Sequence, residues 1–241
     1  MGFLFIFITG LIAGTISGIV GTGSSIMLMP VLIYEYGPRQ AVPIMAVAAI
    51  MANFSRILAW WRDVDWRACA AYSATAIPAA VLGARTLLAL PSRAVDIAIG
   101  VFLIAMVPTR HWLARHQLKA RLWHLALGGA VIGYLTGIVV STGPLSVPLF
   151  LFYGLTKGAF LATEAASSLG IYVSKSVTFE RFGALNADIA LKGLIAGSSL
   201  MAGAFIAKRF VLKLQGDHFR LVMDAIMLVA GASLLWTASI S

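Results

Sequence analysis

Residues 3–36 read FLFIFITGLIAGTISGIVGTGSSIMLMPVLIYEY, and this stretch decides the fold. An apolar segment at about 3–20 is followed by a break rich in Gly, Ser and Thr at residues 21–25, and then by a shorter apolar segment at about 26–36. A helix that crosses a bilayer needs about 20 apolar residues, so the second segment is too short to cross comfortably by itself. The pattern therefore predicts a membrane helix that is broken at residues 21–25, or a hairpin of two helices that turns there.

Apolar segments of helical length occupy nearly all of the remaining chain, and a second break, at residues 141–144, precedes another short segment. Hydrophobic residues make up 60% of the 241 residues and charged residues 11%. A soluble domain of ordinary composition has about 45–50% apolar and about 25% charged residues. The sequence therefore predicts an all-α, polytopic membrane helix bundle that forms one domain over residues 1–241. The predicted segments are at about 3–20, 26–36, 41–61, 68–88, 94–109, 122–140, 145–153, 158–179, 187–207 and 219–239.

Several functional classes find no support in the sequence. The net charge of +9 would suggest nucleic acid in a soluble protein, but the basic residues lie mostly in loops between apolar segments, where membrane topology explains them. The single cysteine, Cys69, allows neither an internal disulfide nor a cysteine cluster. No catalytic or nucleotide-binding motif occurs, so we expect neither an enzyme nor an ATP-driven pump, and no cofactor or metal. The N-terminus lacks a basic region, and we expect it to be the first membrane segment, not a removed signal peptide.

The two halves of the chain, about 1–118 and 119–241, resemble each other when one is shifted by 119 positions without a gap. Two glycine-rich apolar segments can match through composition alone, but agreement of polar and basic positions in one register favours an internal repeat. Internal repeats are the usual construction of secondary transporters. We therefore predict two pseudo-symmetric halves, each with one broken helix or hairpin. The aligned identities are Gly10/Gly129, Gly14/Gly133, Gly18/Gly137, Ile19/Ile138, Val20/Val139, Leu32/Leu151, Tyr34/Tyr153, Ala46/Ala165, Ser55/Ser174 and Arg62/Arg181, and the conservative pairs are Ser17/Thr136, Thr22/Ser141 and Arg56/Lys175.

The charge distribution bears on whether the halves are parallel or inverted. If residues 3–36 formed one crossing of about 50 Å, the chain would cross eight times and the basic loops would divide between both sides. If each break is a hairpin, most basic residues share one face, as the positive-inside rule expects of the cytoplasmic side. We therefore expect inverted halves with both termini outside, in a prokaryotic cytoplasmic membrane. The shared face would carry Arg62, Arg67, Arg110, Arg115, Lys119, Arg121, Lys157, Lys208, Arg209, Lys213 and Arg220. The other face would carry Arg39, Arg85, Arg93, Arg181 and at most Lys192 in addition.

The two breaks are the predicted ligand site. An interrupted membrane helix exposes N–H groups at the start of the next half-helix, and these groups favour anions. Glycine allows close approach of the backbone, and Ser and Thr hydroxyls add donors. Close helix packing through small residues is the alternative, and we expect it for Gly10, Gly14 and Gly18. The predicted substrate-binding residues of the breaks are Thr22, Gly23, Ser24, Ser25, Ser141, Thr142 and Gly143.

Charged residues inside the apolar segments are the second set of candidates. Arg56 and Lys175 occupy equivalent positions in the repeat and could balance the charge of a bound anion, although snorkelling to the interface would also explain them. Glu164 could pair with Lys175 or carry a coupling proton. Asn53 could line the same cavity, as could Ser167 and Ser168, although contacts between helices explain these polar residues nearly as well.

The stretch at residues 17–32 resembles the first signature of the sulfite exporter TauE/SafE family, and residues 136–149 resemble its second copy. The loop at 63–67, Pro78 and the turn at 83–85 are also similar to the family pattern, so the resemblance covers nearly the whole chain. It implies a membrane transporter of small anions, often sulfur oxyanions or organosulfonates, with about eight predicted spans. The usual glycine run is reduced here to GTGSS, and the second copy has STGP, so the anion itself stays open.

The sequence therefore predicts a secondary transporter that moves small anions such as sulfite or organosulfonates, with the lipid bilayer as its surroundings. An anion-selective channel is the nearest alternative, and a membrane scaffold that transports nothing is a third. A homo-oligomer stays open, and we expect no nucleic-acid partner.

Overall fold

The computed structural model describes residues 2–20, 24–115, 119–139, 142–155 and 157–208, and, nearer the C-terminus, residues 224, 228–229, 231–232, 235–236 and 238–239. The long described ranges form α-helices joined by short connections, and no strand occurs among the residues described. The helices are α1 (Gly2–Val20), α2 (Ser24–Tyr36), α3 (Pro38–Trp60), α4 (Trp66–Ala89), α5 (Ser92–Arg115), α6 (Leu122–Ile138), α7 (Gly143–Phe152), α8 (Lys157–Arg181) and α9 (Ala187–Lys208), with a short 3₁₀ helix at Trp61–Asp63.

The first nine predicted segments correspond to these nine helices of the described chain, which confirms the all-α class. The fifth helix is longer than predicted, since it continues through the polar residues of the loop and ends at Arg115 instead of at about residue 109. The tenth predicted segment, 219–239, lies largely outside the described residues.

Two helical stretches in the described chain are long and apolar enough to cross a membrane, Arg39–Asp63 and Ala187–Ala207. The apolar stretches Phe5–Ser17, Met27–Tyr36 and Leu122–Ile138 are shorter. Length and composition alone therefore single out fewer crossing helices than the sequence predicts, and the number of crossings remains a prediction.

Local sequence signals fix where the helices begin and end. Gly37 has a φ of 74°, a conformation that glycine adopts without strain, and it joins α2 directly to Pro38 at the first position of α3. The side chain of Asp65 accepts hydrogen bonds of 3.0 Å from the backbone N–H groups of Arg67 and Ala68 and so caps the start of α4. Gly183, with a φ of 72°, lies in the turn between α8 and α9. These tight connections make consecutive helices reverse direction.

The glycines of α1 bring it into close contact with α9. A Cβ on Gly10 would lie 1.9 Å from Ser199 Oγ, and one on Gly14 would lie 2.3 Å from the carbonyl oxygen of Leu200. A Cβ on Gly203 would lie 2.5 Å from the backbone nitrogen of Thr15. The packing role predicted for Gly10 and Gly14 is therefore confirmed; the surroundings of Gly18 are outside what the structure describes. The contacts advance along both helices together, so α1 and α9 run in the same direction.

Helix α3 also runs in the direction of α9, because Gly193 packs against Val47 and Gly197 against Met51. Helices α1 and α3 therefore run in the same direction, and α2 returns between them. Residues 3–36 thus do not form one long helix, and the first break reverses the chain.

The second break also reverses the chain. The backbone N–H of Ala120, just before α6, donates a 2.9 Å hydrogen bond to the carbonyl oxygen of Phe152 at the end of α7. Further along, a Cβ on Gly128 would lie 2.4 Å from the side chain of Leu149. Helix α7 therefore lies antiparallel to α6.

Helices α4, α6 and α8 share one direction, opposite to that of α1, α3 and α9. Gly133 packs on Ala76 and Gly137 on Ala80, so α4 and α6 run parallel. In contrast, the end of α3 meets the start of α8, where a Cβ on Gly158 would lie 2.7 Å from Trp60.

Candidate functional site

A cavity of about 30 Å³ lies where the two breaks meet in the interior, and we call it the central cavity. Residues from α1, α2, α3, α4, α6, α7 and α8 line it, and most of them are buried. The lining residues are Ser17, Ser24, Ser25, Ala49, Ala52, Asn53, Arg56, Tyr72, Thr136, Thr142, Gly143, Ser146, Glu164, Ser168, Ile171 and Tyr172.

The first hairpin contributes three serines to the central cavity. Ser17 lies near the end of α1, and Ser24 and Ser25 form the first turn of α2. Each is less than 10% exposed, and none of their hydroxyls hydrogen-bonds to another residue within the described part of the chain. The first N–H groups of a helix have no partner within it and carry the positive end of the helix dipole. The cavity therefore meets uncommitted donors at the start of α2.

The second hairpin contributes hydroxyls that are bonded within the protein. The hydroxyls of Thr136 in α6 and Thr142 before α7 share a hydrogen bond across the second break. The hydroxyl of Ser146 lies 3.3 Å from both the carbonyl oxygen of Gly143 and Glu164 Oε1. The hydroxyls of the second hairpin are therefore held in place by hydrogen bonds within the protein, unlike those of Ser17, Ser24 and Ser25 in the first hairpin.

A buried ion pair joins α3 to α8 in the cavity wall. Arg56 Nη1 lies 3.2 Å from Glu164 Oε2, with side chains 11% and 6% exposed, and Arg56 Nη2 also donates to Asn53 Oδ1. Ser168 Oγ donates to Glu164 Oε1 at 2.9 Å. The described part of the lining thus holds one cation and one anion together with many hydroxyl groups. Of the two roles that the sequence suggested for Glu164, pairing with Lys175 is wrong, since the structure pairs it with Arg56; the coupling role stays a prediction.

Lys175 is the predicted site residue that the structure places differently. Its side chain is fully buried, but it does not line the central cavity. Its ammonium group donates to the carbonyl oxygens of Thr136 and Val139, at 2.6 and 2.8 Å, at the end of α6. Lysine bonded to the last carbonyls of a helix offsets the negative end of the dipole, so this lysine stabilises the rim of the second break.

The other predicted residues divide into three groups. Ser24, Ser25, Thr142, Gly143, Asn53 and Arg56 line the central cavity. Thr22, Gly23 and Ser141 lie outside the described residues. Ser167 is buried away from the cavity, and its hydroxyl has no hydrogen-bond partner among the described residues.

Among the described lining residues, sequence reasoning missed five polar ones, Ser17, Tyr72, Thr136, Ser146 and Tyr172, and three apolar ones, Ala49, Ala52 and Ile171. Ser17 and Thr136 are aligned with each other under the 119-residue shift and lie one helical turn or slightly more before the breaks, so the alignment of the halves held a signal for them. No signal in the sequence marked the two tyrosines as lining residues, since an aromatic residue in an apolar segment usually packs in a core or at a membrane interface.

Comparison with known proteins supplies the context for this cavity. The family model described as Sulfite exporter TauE/SafE matches residues 6–234. A protein of Sinorhizobium fredii (strain NBRC 101917 / NGR234), named "Probable membrane transporter protein y4hK", is 28% identical over 213 residues, which cover 81% of this chain and 80% of that protein. No solved structure matches the chain significantly.

Proposed function

We propose that the chain, which belongs to the sulfite exporter TauE/SafE family of membrane transporters, is a secondary transporter. It would carry small anions across the cytoplasmic membrane. The observation that carries this proposal is the central cavity, in which uncommitted serine hydroxyls and the start of α2 lie opposite a buried arginine. Donors of this kind bind oxyanions without the need for a metal. The anion would contact Ser24 and Ser25, with Arg56 balancing its charge.

The size of the central cavity favours a compact anion. A buried water needs about 10–15 Å³ measured in the same way, so 30 Å³ corresponds to about two waters. An ion the size of sulfite matches that space better than an organosulfonate with a carbon chain. An organosulfonate would need the cavity to widen, and sulfite-sized ions are therefore our first choice of substrate.

The exterior of the bundle supports a membrane location. Large apolar side chains point outward along several helices; Leu127 and Val131 of α6 are 60% and 62% exposed. Polar groups instead cluster in the interior, around the central cavity. This arrangement is favourable in lipid, and in water it would leave a large apolar surface exposed. We propose a multi-pass protein with its broken helices facing each other inside the bilayer.

The packing supports two inverted, pseudo-symmetric halves. Under the 119-residue shift, α1 corresponds to α6 and α4 to α9. The close glycine contacts between α1 and α9 correspond to the close glycine contacts between α6 and α4. Helices α1 and α9 run in one direction, and α6 and α4 run in the opposite direction. Such halves allow alternating access by rocking about a central site. Most of the side chains that line the central cavity are buried, and its volume is only about 30 Å³, which favours a carrier over a wide open channel.

The charge distribution supports an orientation. Helices α3 and α5 finish, and α6 and α8 begin, at one end of the bundle. This end carries Arg62, Arg67, Arg110, Arg115, Lys119, Arg121 and Lys157, and α9 ends there at Lys208. The opposite end carries Arg39, Arg85, Arg93, Arg181 and Lys192. We propose that the more basic end is cytoplasmic. The basic residues Arg209, Lys213 and Arg220 lie outside the described chain and do not enter this comparison.

The serine contacts give the first test of the site. Changing Ser24 and Ser25 to alanine together should reduce thermal stabilisation of the detergent-solubilised protein by its anion, because a ligand that binds only the folded state raises the melting temperature. Loss of two hydrogen bonds to a charged ligand should weaken binding about 100-fold. The panel contains sulfite, sulfate, thiosulfate, sulfonates, phosphate and carboxylates.

Ser198→Ala is the matched control, because Ser198 is exposed on α9 and bonds only to the carbonyl oxygen of Ile195 among the contacts described. It should bind like the wild type. An unchanged melting-temperature shift in the double variant would remove the serines from the site. A shift with cations or neutral solutes alone would contradict the anion assignment.

Glu164 suggests how transport is coupled. Protonation of its carboxylate would release Arg56 from the ion pair and remove a negative charge from the cavity, and both changes favour an anion. The other titratable groups in the lining are the hydroxyls of Tyr72 and Tyr172. We propose that one proton accompanies the anion through Glu164.

Glu164→Gln should therefore uncouple anion transport from the proton gradient. In the wild type, a proton gradient across proteoliposomes should drive accumulation of the anion above its equilibrium concentration; the glutamine variant, which has no proton to exchange at this position, should only equilibrate the anion. Transport of a sulfonate that stays ionised on both sides separates this effect from protonation of the ligand. Equal accumulation by the two proteins would exclude Glu164 as the coupling residue.

A further inference from the structure

A second cavity opens at the less basic end of the bundle, and we call it the outer cavity. Its volume is about 310 Å³, and it lies between the start of α3, the end of α4 and the end of α8. Apolar side chains form most of its wall, among them Val42, Leu87, Phe179 and Ile189, and Arg39 lies at its polar edge. It is large enough to hold a small hydrated anion.

Helices α3 and α8 line both cavities. Along α3, Val42 lines the outer cavity and Ala49 the central one; along α8, Phe179 lines the outer cavity and Tyr172 the central one. Seven residues of helix correspond to about 10 Å, so the two cavities lie about two helical turns apart along the same pair of helices. A short barrier therefore separates them.

Phe179 and Lys175 form part of this barrier. Both side chains are fully buried, and the ammonium group of Lys175 lies 5.6 Å from the centre of the Phe179 ring. Phe179 lines the outer cavity, and Lys175 donates to the carbonyl oxygen of Thr136, a residue that lines the central cavity. The pair thus extends from one cavity wall to the other.

A lysine is a costly choice for this position. Its described hydrogen-bond partners are two neutral carbonyl groups, and no described salt bridge includes it, so burial of its charge is only partly compensated. A buried cation inside a membrane segment is usually retained for function. Along α8, Lys175 lies between Tyr172 of the central cavity and Phe179 of the outer cavity, so an anion that moved from one cavity to the other would meet a positive charge.

We propose that Phe179 and Lys175 form the gate between the central and the outer cavity, and that the outer cavity is the vestibule through which the anion enters or leaves on the extracytoplasmic side. Phe179 closes the passage. Lys175 exchanges its carbonyl partners for the anion as the anion passes. This inference rests on the proposed transport function, but access to the two cavities can be measured without any anion.

Cysteine labelling tests the gate, since Cys69 is the single cysteine of the chain and can be replaced by serine. Gln40→Cys then reports on the outer cavity, which Gln40 lines with an exposed side chain, and Ala52→Cys reports on the central cavity. A membrane-impermeant thiol reagent added to intact cells should label Gln40→Cys readily. It should label Ala52→Cys slowly. Adding Phe179→Ala should make the labelling of Ala52→Cys at least about tenfold faster, because the fraction of molecules with an open gate rises.

Phe182→Ala is the matched control, since Phe182 follows α8 directly and is 58% exposed. It should leave the labelling of Ala52→Cys unchanged. If Phe179→Ala does not fold, Phe179→Leu removes less of the core and should still increase labelling. Equal labelling of Ala52→Cys with and without the gate substitutions, or no labelling of Gln40→Cys from outside, would overturn the proposal.

Lys175→Met tests the second component of the gate. It should slow anion exchange across proteoliposomes several-fold while the labelling of Ala52→Cys stays slow, whereas Lys192→Met, at the same end of the bundle, should affect neither. Normal exchange in Lys175→Met would exclude the lysine from the path. If the wild type exchanged no anion but Phe179→Ala still opened the central cavity, the proposed function would fail and the barrier would stand.

Discussion

Replacing Arg56 with methionine should abolish anion transport and lower the stability of the protein. The arginine is the cation of the central cavity, and without it the carboxylate of Glu164 is left buried without its ionic partner. Removing one member of a buried ion pair costs about 3–5 kcal/mol, because the remaining charge is not compensated. Thermal unfolding in detergent measures the loss of stability, and counterflow of radiolabelled sulfite in proteoliposomes measures transport.

The double variant Arg56→Met/Glu164→Gln separates these two effects. It removes both charges, so most of the lost stability should return, while transport stays absent because no cation faces the anion. Arg62→Met is the control, since Arg62 is exposed at the end of α3, with its guanidinium 5.4 Å from the Trp61 ring. Normal counterflow in the double variant would mean that the arginine serves only the structure.

Gly133→Ala should prevent stable folding. A Cβ at this position would lie 2.3 Å from the carbonyl oxygen of Ala76 and 2.6 Å from its Cα, so α4 and α6 would have to move apart. Overpacking of this kind against backbone atoms costs about 3 kcal/mol or more. Yield of monodisperse protein in size-exclusion chromatography and the melting temperature measure the effect.

Gly170→Ala provides the comparison for that substitution. Its Cβ would lie 2.8 Å from Ile77 Cδ1, the far end of a flexible side chain that can rotate away. This variant should therefore fold with only a small loss of stability. If Gly133→Ala were as stable as Gly170→Ala, close backbone contact between α4 and α6 would not be what holds these helices together.

The helices could be predicted from the sequence because the apolar runs are continuous and of helical length, and the breaks could be predicted because Gly, Ser, Thr and Pro interrupt those runs. Gly37 permits the tight turn from α2 into α3, and because α1 and α3 run in the same direction, α2 returns between them. The charge count favours the same arrangement.

The site could be predicted only in part. Arg56 and Glu164 are 108 residues apart, and no local pattern shows that α3 and α8 cross there. The predicted repeat aligns Lys175 with Arg56, but the lysine bonds to the end of α6 instead of reaching the central cavity. An alignment of two halves predicts where a residue lies along its helix; which partner the side chain reaches depends on how the helices pack.

Counterflow in proteoliposomes tests the central claim, that the central cavity is the anion site of a carrier. Vesicles loaded with unlabelled sulfite should accumulate external labelled sulfite transiently, with saturation, and the Ser24→Ala/Ser25→Ala protein should need a higher concentration to reach half of the maximal rate. Linear flux without saturation would indicate a channel. The absence of counterflow with every anion of the panel, in wild-type protein that is folded and correctly inserted, would contradict the account.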